Sequence, residues 1–124
     1  MSLHIPAEQM EKYKRTARER QLAEQRRRDA RREHAWELAH QAADLLKREY
    51  GVQRVVAFGS LIQPNRFTAS SDVDLAAWGL TPTTWLKAIG AVHSLSSEIE
   101  LNLVDVECCS PELLAAIERD GVPL

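Results

Sequence analysis

Cysteine is scarce in this chain. Its 124 residues contain only Cys108 and Cys109, and the two are adjacent. Neighbouring side chains in a strand or at its end point apart, so a bridge between them is not expected, and the pair lacks metal-site spacing. Free thiols predict a cytoplasmic protein. Long apolar runs are also missing: no stretch approaches the roughly 18 residues that a membrane span requires, and the charged N-terminus lacks the apolar segment of a signal peptide. Glycine and proline number five each, and none falls between Ala7 and Tyr50. Aromatic residues make up 6% of the chain and none lies between Arg15 and Arg32. That arginine-rich stretch therefore has no platform on which single-stranded bases would stack, and nucleic acid is not an expected partner.

What is present is charge, unevenly spread. The formal net charge is −2. Residues 1–34 hold ten Lys/Arg against six Asp/Glu, whereas residues 35–124 hold six against twelve. A basic arm precedes an acidic body. Hydrophobic residues account for 44%, ordinary for a globular protein. The length allows one domain plus an extension, and the charge boundary divides the chain into a basic helical extension, 1–34, and a body, 35–124.

Residues 1–6 are predicted to fray. The Gly/Pro-free segment from Ala7 to Tyr50 is rich in Glu, Gln, Lys, Arg, Ala and Leu, which predicts one long helix or two with a break. Its first part is polar, with Glu11–Arg15 and Glu24–Arg28 at i,i+4 spacing. It reads as a solvated or protein-docking helix, with a homo-oligomer through it as one possible use. From Ala35 onward Trp36, Leu38, Ala39, Ala42, Ala43, Leu45 and Leu46 form an apolar stripe that should pack on the body. Gly51 is the expected stop. Strands are predicted at 53–59, 72–78 and from Glu98 to Val106. A helix opens at Thr81-Pro82 and runs to about residue 95, with Trp85, Leu86, Ile89, Val92 and Leu95 on one face. A last helix is capped by Ser110-Pro111 and stops at Gly121. The order helix, strand, strand, helix, strand, helix predicts an α+β fold with a small mixed sheet flanked by helices.

The chemistry concentrates in residues 55–78. The apolar run Val55–Phe58 delivers Gly59-Ser60, and eleven residues separate Ser60 from Asp72-Val73-Asp74, which opens a second apolar run. Alternate side chains in a strand share a face, so Asp72 and Asp74 would project together. Two like charges that close favour a cation between them, and paired carboxylates make a half-site for Mg²⁺. Gly59 lets the backbone approach a phosphate, and Ser60 supplies a hydroxyl and an N–H. Asp-x-Asp alone is common in turns, and Gly-Ser alone is weaker still. Their combination on two strands is far more specific.

That combination resembles the signature of the polymerase-β-like nucleotidyltransferase superfamily. The Ser-Asp-Val-Asp-Leu-Ala stretch and the tail Ser110–Leu124 look most like its minimal nucleotidyltransferase (MNT) branch, over roughly residues 36–124. The resemblance implies a palm-like α+β fold, ATP as substrate and Mg²⁺ held by Asp72 and Asp74, with Gly59 and Ser60 on the triphosphate. It implies an antitoxin that transfers AMP from ATP to a tyrosine hydroxyl of a HEPN-type toxin partner. Arg28-Asp-Ala-Arg-Arg-Glu-His34 imitates the Arg-x(4–6)-His motif of HEPN ribonucleases themselves, but one helix cannot build that bundle, and His34 reads as a surface histidine. His93 and the loop cation Arg66 have no compelling role.

The resemblance departs at the third carboxylate. The family's later strand places an Asp where this chain has Asn102, in Leu101-Asn102-Leu103-Val104. Asn ligates through its carbonyl but adds no charge and is no base. Either the site lacks its third carboxylate, or Glu100 or Asp105 substitutes. Two other functions therefore stand beside transfer to a toxin: a weak or inactive MNT-fold protein that neutralises its partner by docking, and nucleotidyl transfer to a small molecule.

Overall fold

The structure, a computed structural model, describes residues 4–124. The expectation of a frayed N-terminus lies partly outside these residues. From Ala7 the chain forms one unbroken helix, α1 (Ala7–Tyr50), of 44 residues, about 66 Å long at 1.5 Å per residue. Its apolar stripe does what the spacing predicts: Ala35, Leu38, Ala39, Ala42, Ala43 and Leu46 are buried. Four of the six are alanine, which lets the helix axis lie close to the sheet. Gly51 ends the helix in the left-handed conformation, φ 66°, with its N–H on the Leu46 carbonyl. The expected pairs Glu11–Arg15 and Glu24–Arg28 do not form; the ion pairs among the described residues lie elsewhere. Solvated side chains gain little from such contacts and lose rotamer freedom by making them.

Four strands follow: β1 (Arg54–Phe58), β2 (Val73–Trp78), β3 (Leu101–Asp105) and the two-residue β4 (Val122–Pro123). Their order in the sheet is β3-β2-β1-β4. β1 runs antiparallel to β2 and β4, and β2 parallel to β3. The sheet is therefore mixed, as expected, with a fourth strand that the sequence reading missed. Two residues after a glycine carry no periodicity. α2 (Trp85–His93) links β2 to β3, and α3 (Pro111–Asp120) precedes β4.

Strand alternation sorts the core onto two faces. Val55, Ala57, Val73, Leu75, Ala77 and Leu101 pack with the α1 stripe and with Ala88 and Val92 of α2. Val56 and Ala76 pack on the other face with Ile117 of α3. Each large aliphatic side chain buried in this way contributes about 1.5–3 kcal/mol. α3 opens as predicted, with the Ser110 hydroxyl accepting the Leu113 N–H and Pro111 in the first turn.

Several boundaries shift. β2 starts at Val73, leaving Asp72 just outside it, and β3 starts at Leu101 rather than Glu98. α2 starts at Trp85, because the Thr81 carbonyl accepts the N–H groups of Thr84 and Trp85 in a preceding turn. Trp85 and Leu86, expected on the inner face, are 37% and 72% exposed. Gly121 stops α3 in extended geometry, φ −65° and ψ 154°. Its lack of a side chain serves packing instead: a Cβ there would collide with Val56 Cγ1 and the Ile117 carbonyl.

Candidate active site

β1 and β2 bring the two halves of the motif together. Phe58 is the register partner of Asp74, so the residue after β1 lies beside that carboxylate. Gly59 and Ser60 open a single 3-10 turn, Gly59–Ile62. Gly59 has φ 76°, and a Cβ on it would lie 2.6 Å from Asp74 Oδ2. Both the backbone conformation and the closeness of Asp74 require glycine here. The result is a corner where a carboxylate oxygen lies against bare backbone.

Asp74 is half-buried, on the sheet face that also carries Ala76 and Val56. Its carboxyl is pushed above the ordinary carboxylate value, first by burial and also by the charge of Asp72, while the Asn102 hydrogen bond works the other way. Asp72 is near enough for its charge to matter, although it lies outside the strand. This is the arrangement in which a bound cation is favoured, since it would relieve both the desolvation and the repulsion. The donor set fits a hard, oxygen-seeking ion as a half-site of two carboxylates.

Asn102 is the register partner of Asp74 across the parallel β2–β3 pair. Its Nδ2 donates to Asp74 Oδ1 at 3.2 Å. A third carboxylate at this position would repel Asp74, whereas the amide holds it in place. Neither proposed substitute joins them. Asp105 lies three residues further along β3, about 10 Å away at strand spacing. Its side chain accepts the Glu107 N–H at 3.1 Å and faces a cleft with Leu80, Pro82 and Trp85. Glu100 is exposed and lines a cleft with Asp72, His93 and Arg31 that includes neither Asp74 nor Asn102. Among the described residues no three or more His, Cys, Asp or Glu side chains converge as a metal cluster.

The loop between the two halves is held from two sides. Leu61 and Phe67 anchor it in the core, Phe67 being 3% exposed. Within the loop, the Arg66 N–H bonds the Gln63 carbonyl at the Pro64-Asn65 turn, and the Thr68 N–H bonds Ser71 Oγ at 2.9 Å. From outside, Arg32 Nε donates to the Leu61 carbonyl at 3.0 Å and Arg31 Nη2 to the Ser71 carbonyl at 3.2 Å. α1 thus grips the loop next to both motif halves. Polarity alone predicts a solvated or protein-docking helix for these arginines, and the loop contacts are a finding of the structure. The signal that identifies them is position: Arg31 and Arg32 lie four and three residues before Ala35, one turn upstream on the buried stripe. Arg66 is exposed, as are His34 and His93.

A four-stranded mixed sheet with this crossover and flanking helices is an α+β fold that solved structures share. The toxin–antitoxin MntA–HepT matches with a TM-score of 0.51 at 19% identity, over 69% of this chain and 68% of that one. A mutant form of that toxin–antitoxin matches at 0.55 and 20%, over 68% and 70%. A toxin–antitoxin with AMP-PNP matches at 0.54 and 22%, over 67% and 69%. No family model and no curated protein matches the sequence. At these identities the likeness carries the fold: the α+β arrangement expected from the sequence is the one these structures share.

Proposed function

We propose that the chain is a nucleotidyltransferase-type antitoxin that transfers AMP from ATP to a tyrosine hydroxyl of a partner HEPN toxin. The observation that carries this reading is the corner at Gly59, where bare backbone meets the Asp74 carboxylate with Asp72 alongside. The fold shared with a toxin–antitoxin that holds AMP-PNP supports a nucleotide in that corner. Its occurrence in the MntA–HepT pair supports a toxin partner.

In this reading Gly59 and Ser60 hold the phosphate chain through backbone and hydroxyl, and Asp72 and Asp74 hold Mg²⁺. The ion, when bound, neutralises charge on the phosphates. Asn102 fixes the Asp74 side chain so that its second oxygen stays turned toward the Gly59 corner. The tyrosine oxygen forms a bond to the α-phosphorus, the α–β bridging P–O bond breaks, and pyrophosphate leaves. The hydroxyl proton passes to water, because Asn102 is no base. Positioning and charge neutralisation supply the rate enhancement, and the missing base makes a slow enzyme.

A second reading has its own observation. The Asn102–Asp74 hydrogen bond keeps the corner ordered without any ion, which suits a protein that neutralises its partner by docking alone. Incubation with the partner, Mg²⁺ and ATP labelled at the α-phosphate separates the two. Transfer predicts label on the partner, lost with Asp72→Asn/Asp74→Asn. A partner that stays unlabelled yet neutralised overturns the transfer reading in favour of docking. Label released on a small molecule in the absence of the partner would point to the third function.

A further inference from the structure

The stripe of α1 that grips the loop continues upstream as a charged cleft. Residues 24, 27, 28 and 31 follow one another at helical spacing on the side of α1 that faces the loop. Glu24, Arg27, Arg28 and Arg31 form one wall, and Thr68 and Ala69 of the loop form the other, around about 520 Å³. That volume is in the range of small-ligand sites, roughly 300–1,000 Å³. Three guanidinium groups face one carboxylate. Among the described residues none of the three lies within ion-pair distance of an acid. Arg31 is fixed by its bond to the Ser71 carbonyl, yet its Nε is buried with no hydrogen-bond partner. A buried, charged donor left unpaired is costly and calls for an acceptor.

We infer that this cleft binds a polyphosphate anion, held by Arg27, Arg28 and Arg31. The planar fork of arginine matches pairs of phosphate oxygens, and the exposed forks of Arg27 and Arg28, with the charge of Arg31 beside them, suit a chain of phosphates better than a single one. The cleft has no aromatic wall on which a base would stack, so the phosphate chain is the recognised group. Arg31 also lines the neighbouring cleft that contains Asp72, and neither cleft is lined by Gly59 or Asp74. The site uses arginines only and does not depend on nucleotidyl transfer.

Calorimetric titration of the full chain, without divalent cations, tests this with inorganic triphosphate, ATP and AMP. Triphosphate and ATP are expected to bind, and AMP at least about tenfold more weakly. Equal affinity for the first two identifies free polyphosphate chains as ligands; ATP tighter by about tenfold identifies a nucleoside-bearing one. Arg27→Gln/Arg28→Gln should weaken triphosphate by at least about tenfold, with Arg27→Lys/Arg28→Lys intermediate. These side chains are exposed, so the helical circular-dichroism signal should persist. Asp74→Asn should leave the affinity within about twofold, which separates this site from the corner. Absence of saturable binding overturns the inference. So does an equal loss from Arg15→Gln/Arg18→Gln higher on the helix, which would mean diffuse attraction to the basic arm. A gain well beyond twofold with Asp74→Asn, which removes repulsion from the corner, would assign the binding to the corner instead.

Discussion

Asp74 holds its charge at a cost. Burial is the main reason its carboxyl titrates above 3.8, with Asp72 adding to the shift and Asn102 opposing it. Between 3.8 and the raised value the folded protein binds more protons than the unfolded chain. The stability contributed by this group is therefore fully present below 3.8 and is lost as pH rises through the folded value. Asp74→Asn should accordingly raise the melting temperature at pH 7 and leave it unchanged near pH 3, measured by thermal denaturation. Asn102→Asp should do the reverse, lowering metal-free stability by exchanging a donor for a like charge. It should also tighten Mg²⁺ binding by at least about tenfold, or 1.4 kcal/mol, in a titration. If Asn102→Asp leaves Mg²⁺ affinity unchanged, the ion is not held beside Asp74. Gly59→Ala combines a left-handed penalty of about 1–2 kcal/mol with displacement of Asp74, and should lower both denaturation midpoint and nucleotide affinity. The meeting of Gly59 and Asp74 was legible because the strand, loop and strand that bring them together are local in sequence. The Asn102–Asp74 bond was not, because it depends on the parallel register of two strands separated by α2.

Elements were legible where periodicity is long. The whole of α1 and its buried stripe follow from spacing, whereas β4 has only two residues and owes its place to β1. The start of α2 was misplaced because Thr81-Pro82 is a valid cap in isolation, and the competing turn uses the same Thr81 carbonyl. The arginines beside the loop were misread because polarity was weighed before helical phase. Two glycines at this scale have opposite roles. A Cβ on Gly90 of α2 meets open space, whereas one on Gly121 meets Val56 and the Ile117 backbone. Gly90→Ala should stabilise by about 0.5–1 kcal/mol through helix propensity. Gly121→Ala should destabilise by about 1–3 kcal/mol through overpacking. Urea unfolding of both variants measures the contrast, and equal effects would contradict the packing described for the end of α3.

At the scale of the whole molecule, a basic helix lies across the loop that links the two halves of an acidic corner. Among the described residues no helix is long and apolar enough to cross a membrane. The most direct test is the mass of the HEPN-type toxin proposed as partner, purified after co-expression with this chain. The account predicts adenylyl groups on a partner tyrosine, absent when Asp72→Asn/Asp74→Asn replaces the wild type, with toxicity restored. An unmodified partner, neutralised equally well by the wild type and by that variant, would contradict it.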